Sequence, residues 1–185
     1  MRAQIREWAA ITLCLLLALG GAATALALAH GADEAMRPRQ DSLRMAPDFT
    51  VAQVDGSGTI TLSALRGKVV LLDLMASWCT ACIAGMPQLV AINASYADAP
   101  FLLISIGTDD LTDSADAVAQ YALQYGGTWT FTFDAQGVVR FLYDVAVYPT
   151  FVLVGADGTL LWSGKGNPDD AALRQRIDSA LAAAG

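Results

Sequence analysis

Histidine is nearly absent from this chain: His30 is the only one in 185 residues. Cysteine is scarce too, with Cys14, Cys79 and Cys82 the only three. A structural zinc centre takes four ligands, mostly from those two residue types, so neither a histidine-based nor a tetrathiolate site has enough donors. Past Pro47 there is no glutamate, and six lysines and arginines stand against fourteen aspartates. An acidic domain without a basic run argues against a nucleic-acid partner. Cys82 is followed by Ile83, which excludes the Cys-x-x-Cys-His pattern of haem attachment. No internal repeat is visible, and the length suits one domain with extra segments.

The chain's excess is in apolar surface. Hydrophobic residues make up 55% and mean hydropathy is +0.44, with the surplus in the first thirty residues. Trp8 to Ala29 carries no charge over 22 residues, and about 20 suffice to cross a bilayer as a helix. Ala27-Leu28-Ala29 also resembles the small-residue site that ends a secretory signal. Residues 1–29 are therefore expected to be a transmembrane anchor or an uncleaved signal, and either route exports the domain beyond it. Arg2 and Arg6 lie on one side, Arg37, Arg39 and Arg44 on the other, so the positive-inside rule gives no clear orientation. Cys14 reads as an apolar filler of the span. Residues 30–46 are polar, contain Pro38 and read as a linker, with His30 a solvated linker residue. Residues 47–185 form the domain. The expected location is the cell membrane, single-pass, with that domain extracytoplasmic.

The domain is organised around Val69 to Met75, an apolar run broken only by Asp73. The run ends in a small-residue turn, then Trp78-Cys79-Thr80-Ala81-Cys82. Lack of alternation in the run predicts a strand buried on both faces. A helix is predicted from Thr80 to Tyr96, kinked by Pro87. Before the central strand come strands at Phe49–Val54 and Thr59–Leu62 around the Asp55–Gly58 turn, and a helical turn capped by Ser63. After the helix come a strand at Phe101–Ile106, a helix capped by Thr112 or Asp113 and running to Tyr125, and a strand or extended segment at Trp129–Phe133. Gln136–Tyr143 reads as a short helix. Thr150–Val154 and Leu160–Ser163 read as a hairpin about Asp157-Gly158. The last helix is predicted to be capped by Asn167 with Pro168 in its first turn. Alternating strands and helices give an α/β architecture around one sheet.

A Cys-x-x-Cys pair at a strand-to-helix junction points to redox chemistry. The thiolate is the reactive form, and a helix N-terminus favours it. Cys79, just before the helix, is the expected nucleophile, and Cys82, one turn in and more buried, the resolving thiol. Exchange runs through a mixed disulfide at Cys79, which Cys82 then attacks. Asp73 is placed to accept the Cys82 proton, directly or through water, because a carboxyl buried among leucines has a raised pKa. A structural bridge closing so short a loop would gain little chain entropy.

Asp73, Trp78, the two cysteines, Tyr148-Pro149-Thr150 before a strand, and the Asp157-Gly158 hairpin resemble the thioredoxin superfamily. The export segment, the Pro47-Asp48-Phe49 start with its hairpin, and the long stretch between the active-site helix and Trp129 are most similar to membrane-anchored TlpA/ResA-type thiol–disulfide oxidoreductases. The resemblance covers Pro47 to the C-terminus. It implies a thioredoxin fold, a central mixed sheet flanked by helices, with an N-terminal hairpin extension and one preceding transmembrane helix. It implies that Pro149 is a cis-proline facing the dithiol, and that Trp78, Tyr148 and Pro149 contact substrate, the Tyr148 backbone pairing with it as a strand. It implies protein disulfide substrates, a membrane thiol electron donor and no bound cofactor. Two features depart from the pattern. Many ResA-like members carry a glutamate three residues after the second cysteine, where this chain has Gly85. Thr80-Ala81 between the cysteines matches neither Gly-Pro nor Pro-His.

These features lead to an extracytoplasmic reductant of disulfides in specific exported proteins, for example during cytochrome c or copper-site maturation. Three alternatives stay open at the level of sequence. The same pair would serve as a dithiol oxidant at a higher potential. Two thiolates would accept Cu(I) in a chaperone module, though Met75 and Met86 read as core. A redox-inactive tethered interaction domain is the third.

Overall fold

The computed structural model describes residues 45–185. The expected span Trp8–Ala29 and most of the expected linker lie outside those residues. No described helix is long and apolar enough to cross a membrane.

Seven strands form one mixed sheet: β1 (Thr50–Gln53), β2 (Thr59–Thr61), β3 (Val69–Met75), β4 (Phe101–Gly107), β5 (Thr130–Phe133), β6 (Thr150–Val154) and β7 (Leu160–Lys165). Their spatial order is β2-β1-β5-β4-β3-β6-β7. β3 lies between parallel β4 and antiparallel β6, and all seven of its residues are buried, as the unbroken apolar run predicts. The N-terminal hairpin β1–β2 joins the sheet through β5. Thr130–Phe133 is thus a full strand, in register with Ile104–Gly107. The helices are α1 (Thr80–Ser95), α2 (Ala115–Tyr125), α3 (Val138–Leu142) and α4 (Asp170–Ala184), and a 3-10 turn spans Leu62–Leu65.

Alternation along β3 divides the core in two. Val69, Leu71 and Met75 face one layer, with Met86, Leu89 and Ile92 of α1, Val118 and Tyr121 of α2, and Leu173 and Ile177 of α4. Val70, Leu72 and Leu74 face the other, with Phe49, Leu62, Val139 and Val145. The second layer has little helix over it, and the N-terminal segment fills the gap. Met45 bridges to Thr159, and the Ala46 N–H donates to the Gly158 carbonyl at 3.0 Å. The end of the expected linker is therefore already bonded to the β6–β7 hairpin.

Three expected caps are corrected. α2 is capped by Ser114, whose hydroxyl accepts from the Ala117 N–H at 3.2 Å. Thr112 and Asp113 are engaged elsewhere, on Asp109 and on Ser77. α4 is capped by Asp169, which accepts from the Ala172 N–H at 2.9 Å. Pro168 precedes that cap, and Asn167 donates instead to the Ala81 carbonyl at 2.7 Å. The turn at Leu62 has no side-chain cap. Ser63 donates its N–H to Asp48 at 2.8 Å, and the Thr61 hydroxyl is held across the hairpin by Thr50. α1 runs unbroken through Pro87.

β4 ends at Gly107, where α2 crosses closely. A Cβ there would lie 2.5 Å from Val118 Cγ2 and 3.1 Å from Phe133 Cδ2. Both neighbours are part of the packed layer, so overpacking costs about 1–3 kcal/mol. Gly107→Ala is expected to lower the urea midpoint of the domain with an unchanged m-value. An unchanged midpoint would mean that α2 yields freely at this contact.

Candidate active site

The turn after β3 is tied to the loop after β4. Ser77 donates its N–H and its hydroxyl to the two oxygens of Asp113, both at 2.6 Å. The Trp78 indole N–H donates to Asp109 at 3.0 Å, leaving the ring 55% exposed. Asp109 also accepts the Thr112 hydroxyl and the Leu111 N–H, and the Thr112 bond above all holds its carboxyl below the usual range. Arg140 of α3 reaches Asp110 at 3.2 Å and Asp109 at 3.9 Å. The tryptophan next to Cys79 is thereby fixed from outside its own loop.

Cys79 is the N-cap of α1, and its sulfur accepts from the Cys82 N–H at 3.1 Å. The two cysteines are joined as a disulfide, with Cα atoms 5.2 Å apart. Cys79 is 6% exposed and Cys82 4%, so the expected difference in burial is small in the oxidised form. A negative sulfur at the Cys79 position gains the N–H bond and the positive end of a 16-residue helix.

Opposite the turn, the Tyr148–Pro149 peptide is cis. Thr150 pairs with Leu74, which sets Pro149 level with the end of β3, where the Trp78–Cys79 turn departs. The Pro149 carbonyl accepts from the Gly166 N–H at 2.7 Å. The Tyr148 ring meets Trp78 edge-on, centroids 5.8 Å apart. Among the described residues neither backbone group of Tyr148 has a hydrogen-bond partner, as a strand awaiting another chain requires. Trp78, the cysteines, Tyr148 and Pro149 are thus gathered at one end of the sheet.

Asp73 lies deeper. It shares the face of β3 carrying Val69, Leu71 and Met75, the layer in which both cysteines pack. It is 2% exposed. Burial pushes its carboxyl up to about 7, against a smaller opposing effect of the Ser105 hydroxyl, which donates to Oδ2 at 2.8 Å. Ser105 in turn accepts from the Trp129 indole N–H at 3.0 Å. Ser105, Asp109, Asp113 and Trp129 were not among the residues expected at the site. A serine inside the apolar run Phe101–Gly107 was the available sign of the first. Among the described residues no group of three or more His, Cys, Asp or Glu side chains is placed to hold a metal ion.

A family model described as Redoxin matches residues 41–181. The chain is 30% identical over 118 residues to the thiol-disulfide oxidoreductase ResA of Oceanobacillus iheyensis, a match covering 62% of this chain and 60% of that one. It thus spans about three fifths of that relative's length. Among solved structures, a Chlorobium tepidum protein assigned as a thiol:disulfide interchange protein DsbE superposes with a TM-score of 0.69. It has 31% identity, over 76% of this chain and 98% of that one. A secreted Mycobacterium tuberculosis disulfide oxidoreductase gives a TM-score of 0.62 at 25% identity, over 71% and 95%.

The buried carboxyl has a consequence for stability. An acid raised above its unfolded value holds a proton in the folded state that the unfolded chain has already released. The stability it contributes is fully present below about pH 4 and is lost as pH climbs to about 7. Asp73→Asn removes that loss, so the variant should gain on the parent by on the order of 4 kcal/mol between pH 4 and pH 8. Urea unfolding at the two pH values measures it. An equal difference at both would show that Asp73 titrates normally.

Proposed function

The chain belongs to the Redoxin family, in the ResA-type branch of the thioredoxin superfamily, and from that premise we propose that it is a thiol–disulfide oxidoreductase that reduces disulfides in specific extracytoplasmic proteins. The observation that carries the reading is the Cys79–Cys82 disulfide at the N-terminus of α1, facing a cis-proline segment with free backbone groups. A charge-free span at Trp8–Ala29 supports tethering to the cell membrane by one pass, with the domain outside. That one similar structure is of a secreted protein supports export.

In the reduced form, Cys79 attacks one sulfur of the substrate disulfide. The other substrate sulfur leaves as a thiolate and takes a proton. Asp73 accepts the proton of Cys82, whose thiolate attacks Cys79 Sγ in the mixed disulfide. The Cys79–Cys82 bond forms, the second substrate thiolate departs, and the substrate has gained two electrons. Trp78 and Tyr148 present aromatic surface beside the sulfur. A membrane thiol carrier supplies the electrons for the next cycle, and no bound cofactor enters the reaction. Exported cytochrome c precursors or copper-site cysteines are the proposed substrates.

Cys82→Ala in the full chain should hold substrate as a mixed disulfide on Cys79, visible as a reductant-sensitive band that Cys79→Ala abolishes. A Cys79–Cys82 potential near thioredoxin, about -270 mV, is expected. A value near DsbA, about -120 mV, would make the protein an oxidant, and failure to exchange with any disulfide would remove redox function altogether.

A further inference from the structure

The hydrogen-bond chain behind Asp73 has a direction that the donors themselves impose. An indole N–H only donates, and a serine hydroxyl has one proton and two lone pairs. Trp129 Nε1 stands 3.0 Å from Ser105 Oγ, and Ser105 Oγ stands 2.8 Å from Asp73 Oδ2. The indole proton must therefore enter a serine lone pair. That orients the hydroxyl so that its single proton is delivered to the carboxylate. Ser105 is fully buried, at 0% exposure, and among the described residues it is the one hydrogen-bond donor to Asp73. Asp73 and Ser105 sit on the adjacent strands β3 and β4, and Trp129 immediately precedes β5, the next strand over. Asp73 and Ser105 are cross-strand partners in register, while Phe131, two residues past Trp129, pairs with Ser105 on the other side. The indole is held in place by stacking on Phe131, centroids 5.1 Å apart.

We infer that Ser105 and Trp129 are positioning residues for Asp73: the indole fixes the serine hydroxyl as a donor, and that donor stabilises the ionised carboxylate that must take the Cys82 proton. Without it, the carboxyl in this apolar layer would be protonated for more of the time at neutral pH and would accept the proton less often. The other groups facing Asp73 offer no substitute. α1 presents Cys79 and Cys82, and β6 presents Phe151. α4 presents Leu173 and Ile177. α2 presents Tyr121, whose buried hydroxyl has no hydrogen-bond partner and whose phenol is pushed up by burial and by the charge of Asp73. No cation lies in that layer among the described residues. The effect on turnover rests on the role proposed above for Asp73, whereas the positioning of its carboxylate does not.

The test separates the two. The carboxyl carbon of Asp73, identified by its loss in Asp73→Asn, is followed by NMR against pH in the parent, Ser105→Ala, Ser105→Thr and Trp129→Phe. Ser105→Ala should raise its midpoint by about one pH unit, the worth of one hydrogen bond to a charged group. Trp129→Phe keeps the ring but loses the N–H, and should move it the same way by less. Ser105→Thr, which keeps the hydroxyl, should restore it. Single-turnover release of substrate from the Cys79 mixed disulfide should slow several-fold at pH 7 in Ser105→Ala and recover at higher pH, and the effect should vanish in an Asp73→Asn background. If Ser105→Ala does not fold, Trp129→Phe carries the test alone. An Asp73 midpoint unmoved in both variants would overturn the inference. A moved midpoint with an unaltered release profile would support it and would instead overturn the role of Asp73 as proton acceptor.

Discussion

The bond from Ser105 to Asp73 offsets part of the cost of burying a carboxyl within the sheet. A carboxyl stands in an interior strand of a seven-stranded sheet, between β4 and β6, with no other donor within reach among the described residues. Burying a charge so placed is expensive unless it is hydrogen-bonded. The chain meets that cost halfway: one hydroxyl keeps ionisation accessible near neutral pH without making it permanent. A stronger partner, such as a lysine, would lock the anion. A purely apolar setting would lock the acid. Proton exchange at neutral pH needs neither state locked.

The sheet order follows from the same constraint. Asp73 escapes water only because β3 has neighbours on both edges and helices over its face. One of the helices packed in that layer is the one whose N-terminus carries Cys79. The acid proposed to move the proton and the sulfurs proposed to move the electrons thus share one packed layer. The outer parts of the site come from connections made later in the chain: the Asp109–Asp113 loop grips Ser77 and Trp78, and the segment before β6 supplies Tyr148 and Pro149. Those loops are fixed to β3 by hydrogen bonds and register, so sulfur, aromatic and free backbone are presented as one rigid edge.

How much of this was legible depended on whether the information was local. The unbroken run around Asp73 and the Cys-x-x-Cys at its end are short-range signals, and strand, helix and cap fell where those residues place them. Cis geometry at Pro149 came from resemblance alone, since nothing in Tyr-Pro-Thr demands it. The caps of α2 and α4 were misplaced because each helix is preceded by several candidate residues in a row. Propensity cannot choose among Thr112, Asp113 and Ser114, or between Asn167 and Asp169. Tertiary partners choose: Asp113 serves Ser77, Asn167 serves Ala81, and the residue left over caps the helix. The Asp73–Ser105–Trp129 chain was hidden for a related reason. It runs from β3 through β4 to the residue just before β5, and the adjacency and register of those strands are properties of the sheet; a lone serine in an apolar run gives no hint of which side chain it will meet.

Asn167 also accounts for Gly85, the position at which ResA-like relatives were expected to carry glutamate. Its amide donates to the Ala81 carbonyl at 2.7 Å, between the cysteines, and a Cβ on residue 85 would fall 2.5 Å from its Oδ1. Glycine at 85 leaves room for the asparagine amide, which a larger side chain would have to displace. A neutral amide there can brace the Cys79–Cys82 turn but cannot exchange a proton at neutral pH. Two acids flanking one dithiol would titrate as a coupled pair. With Gly85 and Asn167 in place, the helix that carries the dithiol, Thr80–Ser95, has no carboxylate of its own. On the proposed mechanism proton handling then falls to Asp73, and the hydroxyl and indole behind it bear on the chemistry more than they would in a protein with a second carboxylate to share the load.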